Sequence, residues 1–218
     1  MKHLFLSLIA ICIYISTNAQ QGFVEATHYL FPEFTKGVVL MKDGKKNHAL
    51  LNYNSLTEEM IFDNHGQKLA IAKTQLPKID TVLIQDRKFV VLNNKFVELI
   101  YHSSWQLLIE HKCKVEEEGP STGYGGTSQT SAVTSVSETT VDGRYVYNLT
   151  LPEGYKTKPY IYYWIKKDTH IYYCRSMKEL KKLFVDKKDL VKKYSKSHRV
   201  RYNEPETITG LIAYLESS

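Results

Sequence analysis

Between Lys36 and Val115 the chain breaks into short apolar runs separated by polar turn residues. The runs are "GVVLMK", "HALLNYN", "EEMIFD", "QKLAIAK", "DTVLIQ", "KFVVLN", "KFVELIYH" and "WQLLIEHKCKV". Each has the length of a strand, and valine, isoleucine and aromatic residues dominate them. Asp43-Gly44 between the first two is a strong hairpin signal. Asn64-His65-Gly66, Asp86-Arg87 and Asn93-Asn94 carry the residue types of tight turns. Strands in close succession, with no helical crossover between them, predict an antiparallel meander, as an open sheet or a small barrel-like sheet. "KFVELIYH" alternates only partially, so it does not say which of its faces meets the core.

A second strand region runs from Arg144 to Arg175. "RYVYNLTL" is followed by "PYIYYWIKK" and "HIYYCR", which read as an aromatic-rich hairpin joined through Asp168-Thr169. The period then changes from two to about 3.6. Ser176 with Glu179 fits a capping box opening a helix with Met177, Leu180 and Phe184 on its apolar side. Asp186 is expected to cap a second helix carrying Leu190, Val191 and Tyr194. Asn203 is expected to cap a third, with Pro205 in its first turn and Ile208, Leu211, Ile212 and Leu215 on one face. The predicted class is α+β: an antiparallel β-meander followed by a β-hairpin and three short C-terminal helices.

Between the two strand regions lies "GPSTGYGGTSQTSAVTSVSETTVDG", Gly119 to Gly143. A phosphate-binding loop would need Gly-x-x-x-x-Gly-Lys-Ser/Thr, and this stretch has no lysine. It lacks the third glycine of Gly-x-Gly-x-x-Gly, because Ser128 stands at that place. No helical pattern follows to supply an anion-binding N-terminus. Its small, polar composition is that of a flexible connector. At the other end, "MKHLFLSLIAICIYISTNAQ" has a basic start, an apolar run of about a dozen residues and a small-residue ending, the layout of a secretory signal peptide. Roughly 20 apolar residues are needed to span a bilayer, and no later segment reaches that either. The expected organisation is therefore a signal peptide over 1–19, an antiparallel β region over 20–118, the connector over 119–143, and a hairpin with three basic helices over 144–218. The expected product is exported, without a transmembrane segment after signal cleavage.

Charge changes this picture in one place. From Met177 to Arg201 ten Lys or Arg face three acids, a local balance of +7, while the whole chain carries +6. The excess thus sits in the helical end, where Lys181, Lys182, Lys192 and Lys193 are candidate contacts for an anionic membrane or glycan surface, or for an envelope protein. No groove-reading motif points to nucleic acid. The aromatic hairpin offers Tyr162, Trp164 and Tyr172 as a candidate platform for sugar rings. Beyond the leader, Cys113 and Cys174 form an even pair that can bridge in an oxidising compartment or stand as two thiols.

Catalytic signatures are missing. The histidines show no His-x-His or His-Glu-x-x-His spacing, and no Gly-x-Ser-x-Gly elbow occurs. Glu110, His111 and Cys113 are the closest local cluster; on a strand, His111 and Cys113 share a face and Glu110 points to the other. The pairs Glu58-Glu59 and Glu116 to Glu118 read as exposed turns or strand ends. The residues point to a non-catalytic binding or scaffolding component with no cofactor and no metal. The alternatives are a carbohydrate-binding module and a hydrolase with a site assembled from distant residues.

Several stretches together, "FTKGVVLMKDGKKNHALLNYNSLTEEMIF", "DRKFV", "GYGGTSQTS", "KELKKLFVDKKDLVKKY" and "ITGLIAYL", are similar to a group of exported Bacteroidota proteins with no established activity. This resemblance implies a Gram-negative envelope location, periplasmic or outer-membrane-associated, and implies nothing about chemistry.

Overall fold

A computed structural model describes residues 28–117, 139–141, 144–146 and 155–218. The expected signal peptide, and the expected connector apart from residues 139–141, lie outside the described residues. The meander is present as β1 (Thr35–Met41), β2 (Lys46–Asn54), β3 (Glu59–Asn64), β4 (Gln67–Ala70), β5 (Ile79–Ile84), β6 (Arg87–Leu92), β7 (Lys95–His102) and β8 (Trp105–Glu117). The short strands β9 (Thr139–Val141) and β10 (Arg144–Val146) follow, then the hairpin β11 (Tyr155–Lys167) and β12 (His170–Cys174).

Tight turns set the registers. Asn93 and Asn94 take φ of 51° and 59°, the two left-handed positions of a two-residue hairpin loop, with Leu92 facing Lys95. His65 and Gly66 do the same between Asn64 and Gln67. The turn expected at Asp86-Arg87 falls one residue earlier, at Gln85-Asp86, because Ile84 pairs with Arg87. Asp168-Thr169 closes the last hairpin as expected, with Lys167 opposite His170.

All strand pairs are antiparallel, and the order is β12-β11-β8-β7-β6-β5-β1-β2-β3-β4-β10-β9. The aromatic hairpin is thus part of the same sheet as the meander. Its strand β11 pairs with β8 over thirteen residues, from Tyr155 opposite Glu117 to Lys167 opposite Trp105. The sheet curls into a half-barrel. Tyr53 on β2 reaches round to donate its hydroxyl to the His111 carbonyl on β8 at 3.3 Å, although four strands intervene. At Gly37 on β1 a Cβ would stand 2.7 Å from Leu51 Cδ1 and 2.7 Å from the Leu83 carbonyl, so only glycine lets β1 sit this close to its neighbours.

Two apolar clusters hold the molecule. Inside the curl, Phe31, Leu51, Tyr53, Met60, Val82 and Phe89 pack together, with the Tyr53 and Phe89 rings stacked at 5.9 Å. At the other end the odd-numbered side chains of β8 and β11 (Trp105, Leu107, Ile109, Tyr163, Ile165) meet three helices. These are α1 (Met177–Leu183), α2 (Lys188–Ser197) and α3 (Pro205–Ser217). Ile208, Leu211, Ile212 and Leu215 of α3 are all fully buried, as their spacing predicts. Burying each stabilises by about 1.5–3 kcal/mol relative to exposure.

Ser176 caps α1 as expected, accepting from the Glu179 amide at 3.2 Å, while the Glu179 carboxylate accepts from the Arg175 amide at 2.8 Å. The other two caps differ from expectation. Asp186 lies inside a 3-10 turn, Val185–Lys187, and α2 begins after Lys187 with no side-chain cap. Glu204, rather than Asn203, precedes α3, with Pro205 opening the first turn.

Candidate functional site

Two-residue periodicity separates the faces of β8. Odd positions look toward the helices and the curl; even positions look the other way. Glu110 belongs to the even face and is 2% exposed. A buried carboxylate needs full hydrogen bonding, and Glu110 has it. Trp164 Nε1 donates to Oε2 at 2.9 Å, while Lys95 Nζ and Lys112 Nζ donate to Oε1 at 3.0 and 3.3 Å. The same two lysines grip Glu58 from the β2–β3 turn, Lys95 at 2.5 Å and Lys112 in closer contact. Two glutamates and two lysines thus form a balanced quartet. Burial opposes ionisation of Glu110, but the bonds from Trp164 and Lys95 and the charge of Lys112 outweigh it and hold the carboxyl at about 2.

Around Glu110 the even face is aromatic. Tyr160 stands opposite Lys112, Tyr162 opposite Glu110 and Trp164 opposite Leu108, and Tyr173 of β12 stands opposite Trp164. The rings form a chain: Tyr160 to Tyr162 at 5.3 Å, Tyr162 to Tyr173 at 5.6 Å, and Trp164 to Tyr173 at 4.2 Å. Tyr173 is 37% exposed and the other three are partly so. The expected trio is corrected at one member. Tyr172 pairs with Ile165 and lies on the opposite face, so Tyr173 takes its place beside Tyr162 and Trp164. The reason is the two-residue turn. It sets Lys167 opposite His170, so an even position on β11 faces an odd one on β12.

On the odd face a second charged group is buried beside the curl. Arg87 donates from Nε and Nη2 to both oxygens of Glu98, at 2.6 and 2.5 Å, the bidentate geometry suited to guanidinium and carboxylate. His111 Nε2 lies 2.6 Å from Glu98 Oε2. Burial again opposes the charge on Glu98, and the bonds from Arg87 and His111 overcome it, holding the carboxyl at about 2. Both buried acids are therefore permanent anions near neutral pH, which suits structure rather than proton transfer.

Of the two alternatives for Cys113 and Cys174, the structure has the second: both are buried free thiols. Cys113 pairs with Pro159 and Cys174 with Tyr163, so a whole strand separates them, with a four-residue offset along it. Neighbouring strands are about 4.8 Å apart, which puts two cysteines flanking a third strand beyond bridging range. Burial pushes the Cys174 thiol up to about 11, and raises Cys113 too. Among the described residues no group of His, Cys, Asp and Glu side chains converges as a metal site.

Lys181, Lys182, Lys192 and Lys193 are all exposed. They lie on the outer sides of α1 and α2, whose Leu180 and Val191 are buried. No helix among the described residues is long and apolar enough to cross a membrane.

A cleft of about 330 Å³ opens between the β2–β3 and β6–β7 turns. Ile71, Leu76 and Phe96 form its apolar wall, and Glu58, Lys73 and Lys95 supply charge. The sequence pattern had Glu58 and Glu59 as an exposed turn or strand end, whereas both are half-buried, and it gave no role to the other lining residues. Glu58 sits in the turn with φ of 60°, and its lysine partners lie 37 and 54 residues away along the chain.

No family model, no curated protein and no solved structure matches this chain.

Proposed function

We propose that this chain is a non-catalytic binding protein of the cell envelope, exported by its N-terminal segment. Its ligand is a saccharide, held against the face that carries the even positions of β11 and the odd positions of β12. The supporting observation is the ring chain Tyr160–Tyr162–Tyr173–Trp164 on the face away from the helices. Aromatic rings left partly open on a sheet offer flat apolar surface to the C–H faces of pyranose rings. Glu110 fixes the Trp164 indole from below, so the platform loses little side-chain freedom on binding.

A glycan array tests this reading. The mature chain should retain defined saccharides, Tyr173→Ala should lose them, and Tyr172→Ala, on the opposite face, should keep them. Retention of no glycan by the wild type would remove the proposal.

A second reading rests on the exposed Lys181, Lys182, Lys192 and Lys193: docking of the helical end on an anionic surface. Cosedimentation with anionic vesicles, lost on charge reversal of those four lysines, would favour it. Equal sedimentation of the reversed variant would remove it.

A further inference from the structure

The cleft between the β2–β3 and β6–β7 turns has a chemistry of its own. Its volume, about 330 Å³, lies at the small end of ligand pockets and leaves room for one molecule the size of leucine or phenylalanine. The walls pair an apolar patch, Ile71, Leu76 and Phe96, with side chains of both signs. Glu58 and Lys95 neutralise each other within the quartet that includes Glu110 and Lys112. Lys73 stands outside that quartet, exposed, with no ion pair among the described residues. Glu59, next to Glu58, also lines the cleft, so the lining as a whole carries equal numbers of lysines and glutamates.

Thr57 supplies the second observation. It lines the cleft, its amide is held by Asn54 Oδ1 at 3.2 Å, and its Oγ1 is buried with no hydrogen-bond partner. A buried hydroxyl without a partner costs about 1–3 kcal/mol, and few native side chains leave that uncompensated.

From this we propose that the cleft binds a free α-amino acid with an apolar side chain. The carboxylate would meet Lys73 and the Thr57 hydroxyl, the ammonium would meet the Glu58–Glu59 side, and the side chain would lie on Leu76 and Phe96. A lining of balanced charge disfavours a simple anion or cation, either of which leaves one sign of the lining facing its own kind, and favours a ligand that carries both. None of the four rings lines the cleft, although Glu110 touches both Trp164 and Lys95, and the amino-acid titration below is read without any saccharide.

The test is a methyl NMR titration of the mature chain, following Ile71 and Leu76, with L-leucine and L-phenylalanine. Two controls each lack one charge of leucine: 4-methylpentanoate and isoamylamine. Either amino acid should give saturable shifts with Kd below about 1 mM, and each control should bind at least about tenfold more weakly. Lys73→Met should weaken binding about tenfold. Thr57→Val should weaken it several-fold while leaving the melting temperature unchanged or higher, an opposition that a purely structural threonine would not produce. Absence of saturable shifts up to about 10 mM would overturn the proposal. So would a single-charge control that binds as tightly as leucine, or a Lys73→Met variant that titrates like the wild type.

Discussion

At the scale of single residues, the informative groups are the buried acids. In the sequence Glu98 looks like an ordinary polar residue of a strand, and Glu110 stands out only through its neighbours His111 and Cys113. Their partners Arg87, His111, Lys95 and Lys112 come from neighbouring strands and could be paired only once registers were known. His111 and Cys113 do share a face with Glu110 opposite, as strand geometry requires, but the partner that matters to His111 is Glu98. The Glu98 carboxyl, normally near 4.5, is held at about 2 in the folded chain. A depressed carboxyl contributes stability that is complete above its unfolded pKa and is lost as pH falls through the folded one. The contribution of Glu98, about 3 kcal/mol from the size of the shift, should therefore be intact above pH 5 and fade between about pH 4.5 and 2. Urea unfolding across that range should show a steeper loss for the wild type than for Glu98→Gln. Identical slopes would mean that the carboxylate is not held by Arg87 and His111 in solution.

Among the elements, strands and turns were largely legible, because each apolar run and each Asn or Gly pair acts locally. Pro205 marked the start of α3, but a capping residue was legible only at Ser176, where cap and partner lie three residues apart. At Asp186 a 3-10 turn intervened, and at α3 the chain entered through Glu204. What locks α3 to the sheet lies far from its cap. Glu216 in its last turn accepts from the Trp105 amide at 2.8 Å and the Tyr101 hydroxyl at 2.5 Å, and also meets the Ser104 hydroxyl. Burial resists the charge on Glu216, yet these donors hold its carboxyl at about 2. Glu216→Ala should cost about 1–2 kcal/mol, since the Trp105 amide loses its acceptor, while Glu216→Gln, which keeps one carbonyl oxygen, should cost less. Chemical denaturation would check both. Equal stability of wild type and Glu216→Ala would show that apolar packing alone seats α3.

For the whole molecule, the decisive contact is β8 with β11. Sequence patterning showed two strand regions and a connector of distinct composition, but nothing local says that strands on either side of residues 119–143 pair over thirteen positions. That pairing brings Glu110 beside Tyr162 and Trp164, and the two-residue turn at Asp168-Thr169 then selects Tyr173 over Tyr172. Parity within one strand was readable; parity across the turn was the step that decided the site. This assembled aromatic face is the proposed ligand surface. The chain has two tryptophans, Trp105 buried under the helices and Trp164 on the platform. A Trp105→Phe variant therefore leaves Trp164 as the sole indole reporter. Its emission should be titrated with linear neutral hexasaccharides of α- and β-linked glucose and of mannose. A saturable blue shift is expected with at least one of them, accompanied by protection from acrylamide quenching. Unchanged emission and quenching with every hexasaccharide at about 5 mM would contradict it.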